Sequence, residues 1–71
     1  MIEVLAEIAG SVFKVEKGVD DSVETEDVLL ILESMKMEIP VEAPISGRIV
    51  EVRVNEGDTV EEGQVLAVLS E

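Results

Sequence analysis

The 71-residue chain has no cysteine, no histidine, no tryptophan and no tyrosine, and only five basic residues stand against its 17 acidic ones. Without cysteine no disulfide can close a small fold, and without cysteine and histidine the usual zinc and haem ligand sets are missing. Stability must therefore come from packing the apolar residues that make up 46% of the chain. These are almost all Val, Ile, Leu and Ala, with Phe13 as the only aromatic. Such a mixture suits a compact β core and is unlike a disordered acidic tail. A chain this short makes one domain at most, residues 1–71, and buries a smaller fraction of its surface than a longer one would.

A net charge of -12 repels nucleic acid and anionic membrane surfaces, so neither is an expected partner. The acidity serves solubility, or else steers the chain toward basic protein partners. No apolar run approaches the roughly 18 residues of a membrane-spanning helix, and Met1-Ile2-Glu3-Val4 lacks the basic and apolar regions of a secretory signal. A cytoplasmic location is the expectation.

Apolar residues alternate at Ile2, Val4, Ala6 and Ile8, with Leu5 as an outward exception, which predicts a half-buried strand. The same rhythm returns at Ile39, Val41, Ala43 and Ile45 and again over 49–54, while Val28 to Leu32 and Val65 to Leu69 are continuous buried runs. No stretch has a helical period. Turn signals fall at Gly10, at Val19-Asp20-Asp21-Ser22, at Ala43-Pro44 and at Asn55-Glu56-Gly57-Asp58. The fold class is all-β with short strands.

Residues 2–34 align without a gap on residues 39–71 at an offset of 37, with 12 of the 33 pairs identical. The identities include Ile2/Ile39, Val4/Val41, Ala6/Ala43, Ile8/Ile45, Gly10/Gly47, Asp21/Asp58 and Leu32/Leu69. Matches at every second position are what two equivalent strands with one buried face produce. Neither half is large enough to close a core alone, so the halves are expected to face each other as a flattened barrel or sandwich with a pseudo-twofold axis. Only Met35, Lys36, Met37 and Glu38 fall outside the repeat, where one half hands over to the other. A tight hairpin is the natural connection there, with the two chain termini together at the far end.

Most lysines are merely solvated, and methionine most often fills core gaps. Two methionines bracketing a lysine at a turn fit that reading poorly, because turns favour Gly, Asn, Asp or Pro. At the tip Met35 and Met37 are available for a partner to read. Gly47, Gly57 and Gly63 are assigned to turns that need positive φ, and Pro44 to fixing its own turn. Adjacent carboxylates such as Asp20-Asp21 and Glu61-Glu62 are read as solvated charge rather than as a metal or acid-base site.

The segment Glu33-Ser34-Met35-Lys36-Met37-Glu38, followed by Ala43-Pro44, Gly47, Glu56-Gly57-Asp58, Val60 and Gly63-Gln64, resembles the biotinyl domains of biotin-dependent carboxylases over nearly the whole chain. The resemblance implies the barrel-sandwich fold of the biotinyl and lipoyl attachment domains, two four-stranded antiparallel sheets. It also implies that a biotin protein ligase joins biotin to Lys36. A biotin carboxylase would then carboxylate that biotin, and a carboxyltransferase would receive the carboxyl group, so the domain itself catalyses nothing. Met35 and Met37 would be read by the ligase. Ser34 stands where such domains often have Ala, and Glu33 and Glu38 flank the hairpin, recognised by the ligase or simply solvated. The first half departs from the pattern, because Asp20 and Glu26 stand where the second half has Gly57 and Gly63, so its turns are expected to differ. The short span from Phe13 to Val23 also has no room for the protruding insertion that some carboxyl carriers have.

A lipoyl carrier, or a dual acceptor of biotin and lipoate on the same lysine, is the nearest rival, with a similar fold and a lysine at the same tip, but lipoyl domains typically have Asp before that lysine and Ala after it. An acidic β-module that works by protein contact alone is the second, and it predicts that Lys36→Arg changes nothing.

Overall fold

The computed structural model describes all 71 residues, which form eight strands and no helix. The strands are β1 (Ile2–Leu5), β2 (Gly10–Val15), β3 (Ser22–Val23), β4 (Val28–Ser34), β5 (Met37–Glu42), β6 (Gly47–Val52), β7 (Thr59–Val60) and β8 (Val65–Ser70). They make two antiparallel four-stranded sheets, ordered β1-β8-β6-β3 and β5-β4-β2-β7. Adding or subtracting 37 exchanges β1 with β5, β8 with β4, β6 with β2 and β3 with β7, and so turns one sheet order into the other. The pseudo-twofold symmetry expected from the repeat is present, and each sheet takes two strands from each half.

The core divides in the same way. One buried cluster is Val4, Val23, Leu29, Ala43, Ile49, Ala67 and Leu69, and the other is Ala6, Val12, Leu30, Leu32, Val54, Val60 and Leu66. Six members of each are related by the offset. The exceptions are Val54, whose counterpart is Lys17, and Val4, whose counterpart Val41 packs against both clusters. Because each cluster draws on both halves, neither half has a core of its own.

Register shifts explain the continuous apolar runs. The ladders skip Leu29 between Val28 and Leu30, and skip its counterpart Leu66 opposite the Val4–Leu5 step, so consecutive residues of one strand reach different clusters. A second equivalent pair of shifts, in β2 and β6, leaves out Phe13 and Val50. The only aromatic side chain is therefore a bulge residue, half exposed, and contributes little to the core. Edge strand β5 carries Pro40, which denies further pairing to that edge.

Four of the expectations are corrected. The first-half turns do not differ from the second: Asp20 (φ 76) matches Gly57 (φ 94), and Glu26 (φ 77) matches Gly63 (φ 87). The hydrogen bonds agree, since the Asp21 carboxylate accepts from Gly18 N–H at 2.7 Å as Asp58 accepts from Asn55 at 2.8 Å. Likewise Asp27 accepts from Glu24 N–H and Gln64 from Glu61 N–H. The cross-links between halves are reciprocal too, with Glu26 N–H donating to Ala43 and Gly63 N–H donating to Ala6, both at 2.8 Å. Packing between the halves thus holds the same loop shape without the glycines. The carboxylates of Asp20-Asp21 and Glu61-Glu62 accordingly lie in or beside turns.

Gly47 does not serve a positive φ, and Gly10 is not a turn; each is the first residue of a strand. Their need is space. A Cβ on Gly10 would lie 2.5 Å from the Glu33 carbonyl oxygen, and one on Gly47 would lie 2.1 Å from that of Ser70. Finally, β1 ends at Leu5, and Ile8 is exposed, because the chain leaves the sheet to reach Gly10.

Ile2 stands opposite Leu69, so the termini lie together as expected. From there β1 leads away, and the chain arrives at Gly10 against Glu33 and Ser34, at the base of the β4–β5 hairpin. Termini and hairpin therefore occupy opposite ends of a body measuring 33 × 17 × 17 Å.

Candidate functional site

The hairpin is tighter than the unpaired stretch Met35–Glu38 suggested. Its ladder continues through Glu33 opposite Glu38 and Ser34 opposite Met37, leaving only Met35 and Lys36 to make the turn. Both have positive φ, 53 for Met35 and 67 for Lys36, the pattern of a type I′ turn. That turn matches the twist of the strands and ordinarily takes Asn-Gly. Here two long side chains occupy the left-handed region, each at a cost of about 1–2 kcal/mol relative to the right-handed one. Such a departure from local preference, held by a well-formed ladder, is typical of functional positions.

The turn lifts Lys36 clear of the body. Its side chain is exposed, and its amine enters no hydrogen bond or ion pair; the one ion pair of the molecule joins Arg53 to Glu51 at 2.9 Å, away from the tip. Met35 is 90% and Met37 62% exposed, so both thioethers face water beside the amine. Met37 extends the face of Ile39 and Val41, one step beyond the end of the core. Ser34 is half buried, while Glu33 and Glu38 are exposed and directly across from each other. A like-charged cross-strand pair costs a few tenths of a kcal/mol, roughly, so these carboxylates do not stabilise the hairpin.

All six residues singled out in the sequence are thereby brought together on one two-strand element. Gly10, read as a turn, is the participant missed. A Cβ there would meet the Glu33 carbonyl at 2.5 Å and the Ser34 Cβ at 3.3 Å, so a bare Gly10 and a small residue 34 let β2 brace the hairpin from behind. The signal was the Gly10/Gly47 identity, which marks a close approach repeated in both halves. One groove lies elsewhere, between β1 and β5, and includes none of residues 33–38. The tip is thus a projecting amine with no pocket of its own among the principal concavities, an arrangement suited to being acylated and presented to another protein's site.

The family model described as biotin-requiring enzyme, the biotin/lipoyl family, matches residues 1–69. Among curated relatives, the biotinylated protein TB7.3 homolog of Mycobacterium leprae is 46% identical over 68 residues, covering 96% of both chains. A biotin/lipoyl attachment protein of Bacillus subtilis is 48% identical over 64 residues, 90% of this chain and 88% of that one. Among solved structures, the urea carboxylase of Kluyveromyces lactis superposes with a TM-score of 0.92 at 35% identity, over 97% of this chain but only 6% of that one. The lipoyl domain of the 2-oxoglutarate dehydrogenase complex of Azotobacter vinelandii gives 0.76 at 33% identity, over 89% and 80%. With its repeat, its paired four-stranded sheets and this match along almost its whole length, the chain belongs to the biotin/lipoyl attachment domain family.

Proposed function

We propose that the chain is a non-catalytic biotin carboxyl carrier, with biotin amide-linked to the Nζ of Lys36. The observation that carries this reading is the type I′ tip, which spends unfavourable backbone conformations on exposing an unpartnered amine between two exposed methionines. The residues fit the group: an amide there needs only a free amine and room around it, and the turn supplies both. A ligase provides the base that frees the amine for attack. Met35 and Met37 offer the ligase an apolar surface, and Ser34, Glu33 and Glu38 frame it. Once joined, biotin supplies a ureido nitrogen able to carry a carboxyl group. This chain's part is to hold the arm on a rigid hairpin and raise its effective concentration at a biotin carboxylase and then at a carboxyltransferase. The setting we assign is cytoplasmic.

Lipoate on the same lysine is the second reading, favoured by the structural match to a lipoyl domain. Intact-mass analysis of the chain co-expressed with biotin and lipoate ligases, with peptide mapping around Lys36, tests both. A biotin increment on Lys36, lost in Lys36→Arg, is the expected result. A lipoyl increment alone would replace carboxyl transfer with acyl transfer, and an unmodified Lys36 would refute both.

A further inference from the structure

Thiols and thioethers are the side chains most readily modified by peroxides, and this chain has three methionines and no cysteine. Methionine usually fills gaps in cores, yet none does so here: Met1, Met35 and Met37 are 85%, 90% and 62% exposed, and the core is Val, Leu, Ile and Ala alone. The body is therefore inert to a mild oxidant. Two of its three reactive sulfurs stand on either side of one lysine, at the end of the molecule remote from the third.

We propose that Met35 and Met37 are a reversible oxidation site that gates acylation of Lys36, an inference resting on Lys36 being the attachment point. In the step, a lone pair of the thioether sulfur attacks one oxygen of hydrogen peroxide. The O–O bond breaks as an S–O bond forms, water leaves with the second oxygen, and sulfur loses the two electrons that peroxide gains. The product is a polar, chiral sulfoxide where a partner would meet an apolar methyl thioether. A ligase that covers these side chains must then desolvate an S=O dipole it has no group to satisfy. The fold is untouched, because both side chains project into water. Methionine sulfoxide reductases, one for each epimer, provide the return path.

The test uses the unmodified chain treated with hydrogen peroxide, oxidation at Met1, Met35 and Met37 being quantified by peptide mapping. The initial rate of biotin transfer by a biotin protein ligase is compared before and after. The expected result is a fall in kcat/KM of at least about tenfold, the size expected when a polar group enters an apolar contact unpaired. The thermal midpoint stays the same, and both reductases together restore the rate. Met1→Leu remains as sensitive as the parent. Met35→Leu/Met37→Leu, whatever its own starting rate, has the same rate before and after peroxide. Equal rates for the oxidised and unoxidised parent would overturn the proposal, as would peroxide sensitivity persisting in the double variant. An unoxidised chain that accepts neither biotin nor lipoate would instead bring down the attachment reading itself, a distinct failure visible before any peroxide is added.

Discussion

Replacing Glu26 by glycine is expected to stabilise the protein, although it deletes a side chain and adds flexibility. Glu26 sits at φ 77, where its counterpart in the other half is Gly63 at φ 87. An L-residue in the left-handed region costs about 1–2 kcal/mol, and glycine returns about 0.5–1 kcal/mol of that through its larger unfolded-state entropy. The difference leaves a net gain of about 0.5–1 kcal/mol. Nothing in the native contacts opposes it, since the Glu26 side chain makes no hydrogen bond and the backbone N–H that donates to Ala43 at 2.8 Å is kept. For a domain of this size the gain corresponds to a rise in thermal midpoint of roughly 3–7 °C. The reciprocal change, Gly63→Ala, should lower the midpoint by a similar amount, because its Cβ would meet nothing within 4 Å and only the backbone is penalised. Calorimetry or far-ultraviolet circular dichroism is the assay, as a chain without Trp or Tyr offers no useful intrinsic fluorescence. Glu26→Gln separates the backbone effect from charge relief beside Glu3, Glu7 and Glu42, which line the same groove. A Glu26→Gly midpoint no higher than that of Glu26→Gln, or a Gly63→Ala variant as stable as the parent, would refute the equivalence of the two turns.

Two further substitutions probe other features. Gly47→Ala should cost more than about 2 kcal/mol in urea denaturation, against about 1 kcal/mol for Gly57→Ala. The first places a Cβ 2.1 Å from the Ser70 carbonyl oxygen, whereas the second meets only open space. Met35→Gly should raise the thermal midpoint by about 3–7 °C by relieving one left-handed residue of the turn, yet reduce modification of Lys36 when co-expressed with a ligase, measured by intact mass.

Much of this was legible in the sequence because the repeat carries geometry as well as composition. Val4/Val41, Ala6/Ala43 and Val12/Ile49 recur at the period of a strand, and most of these positions are buried, which is enough to infer two equivalent sheets. The tip was legible for a related reason, being the stretch that the repeat leaves over. What escaped was of two kinds. Strands β3 and β7 have two residues each, too few for any alternation to register. Backbone shape at Asp20 and Glu26 was hidden because neither residue signals a left-handed turn as strongly as glycine, and contacts from the opposite half impose it. Gly47 shows the converse: glycine advertises freedom in φ, but here it answers to a neighbouring carbonyl that only the folded sheet brings near.

The pairing of Ile2 with Leu69 is the image of Ile39 with Leu32, and the two ends of the body are alike except that one is sealed by Met35-Lys36 and the other is left open. Seen as connectivity, the backbone is a ring cut once. A permuted chain, opened at the tip and closed by a short linker from Glu71 to Met1, would traverse the same strands in the same sheets and keep both core clusters. It would have lost only the Met35-Lys36 turn, where we propose that an acyl group is mounted. Which end presents a turn is thus a property of where the ring is joined, and not of the barrel that the ring encloses.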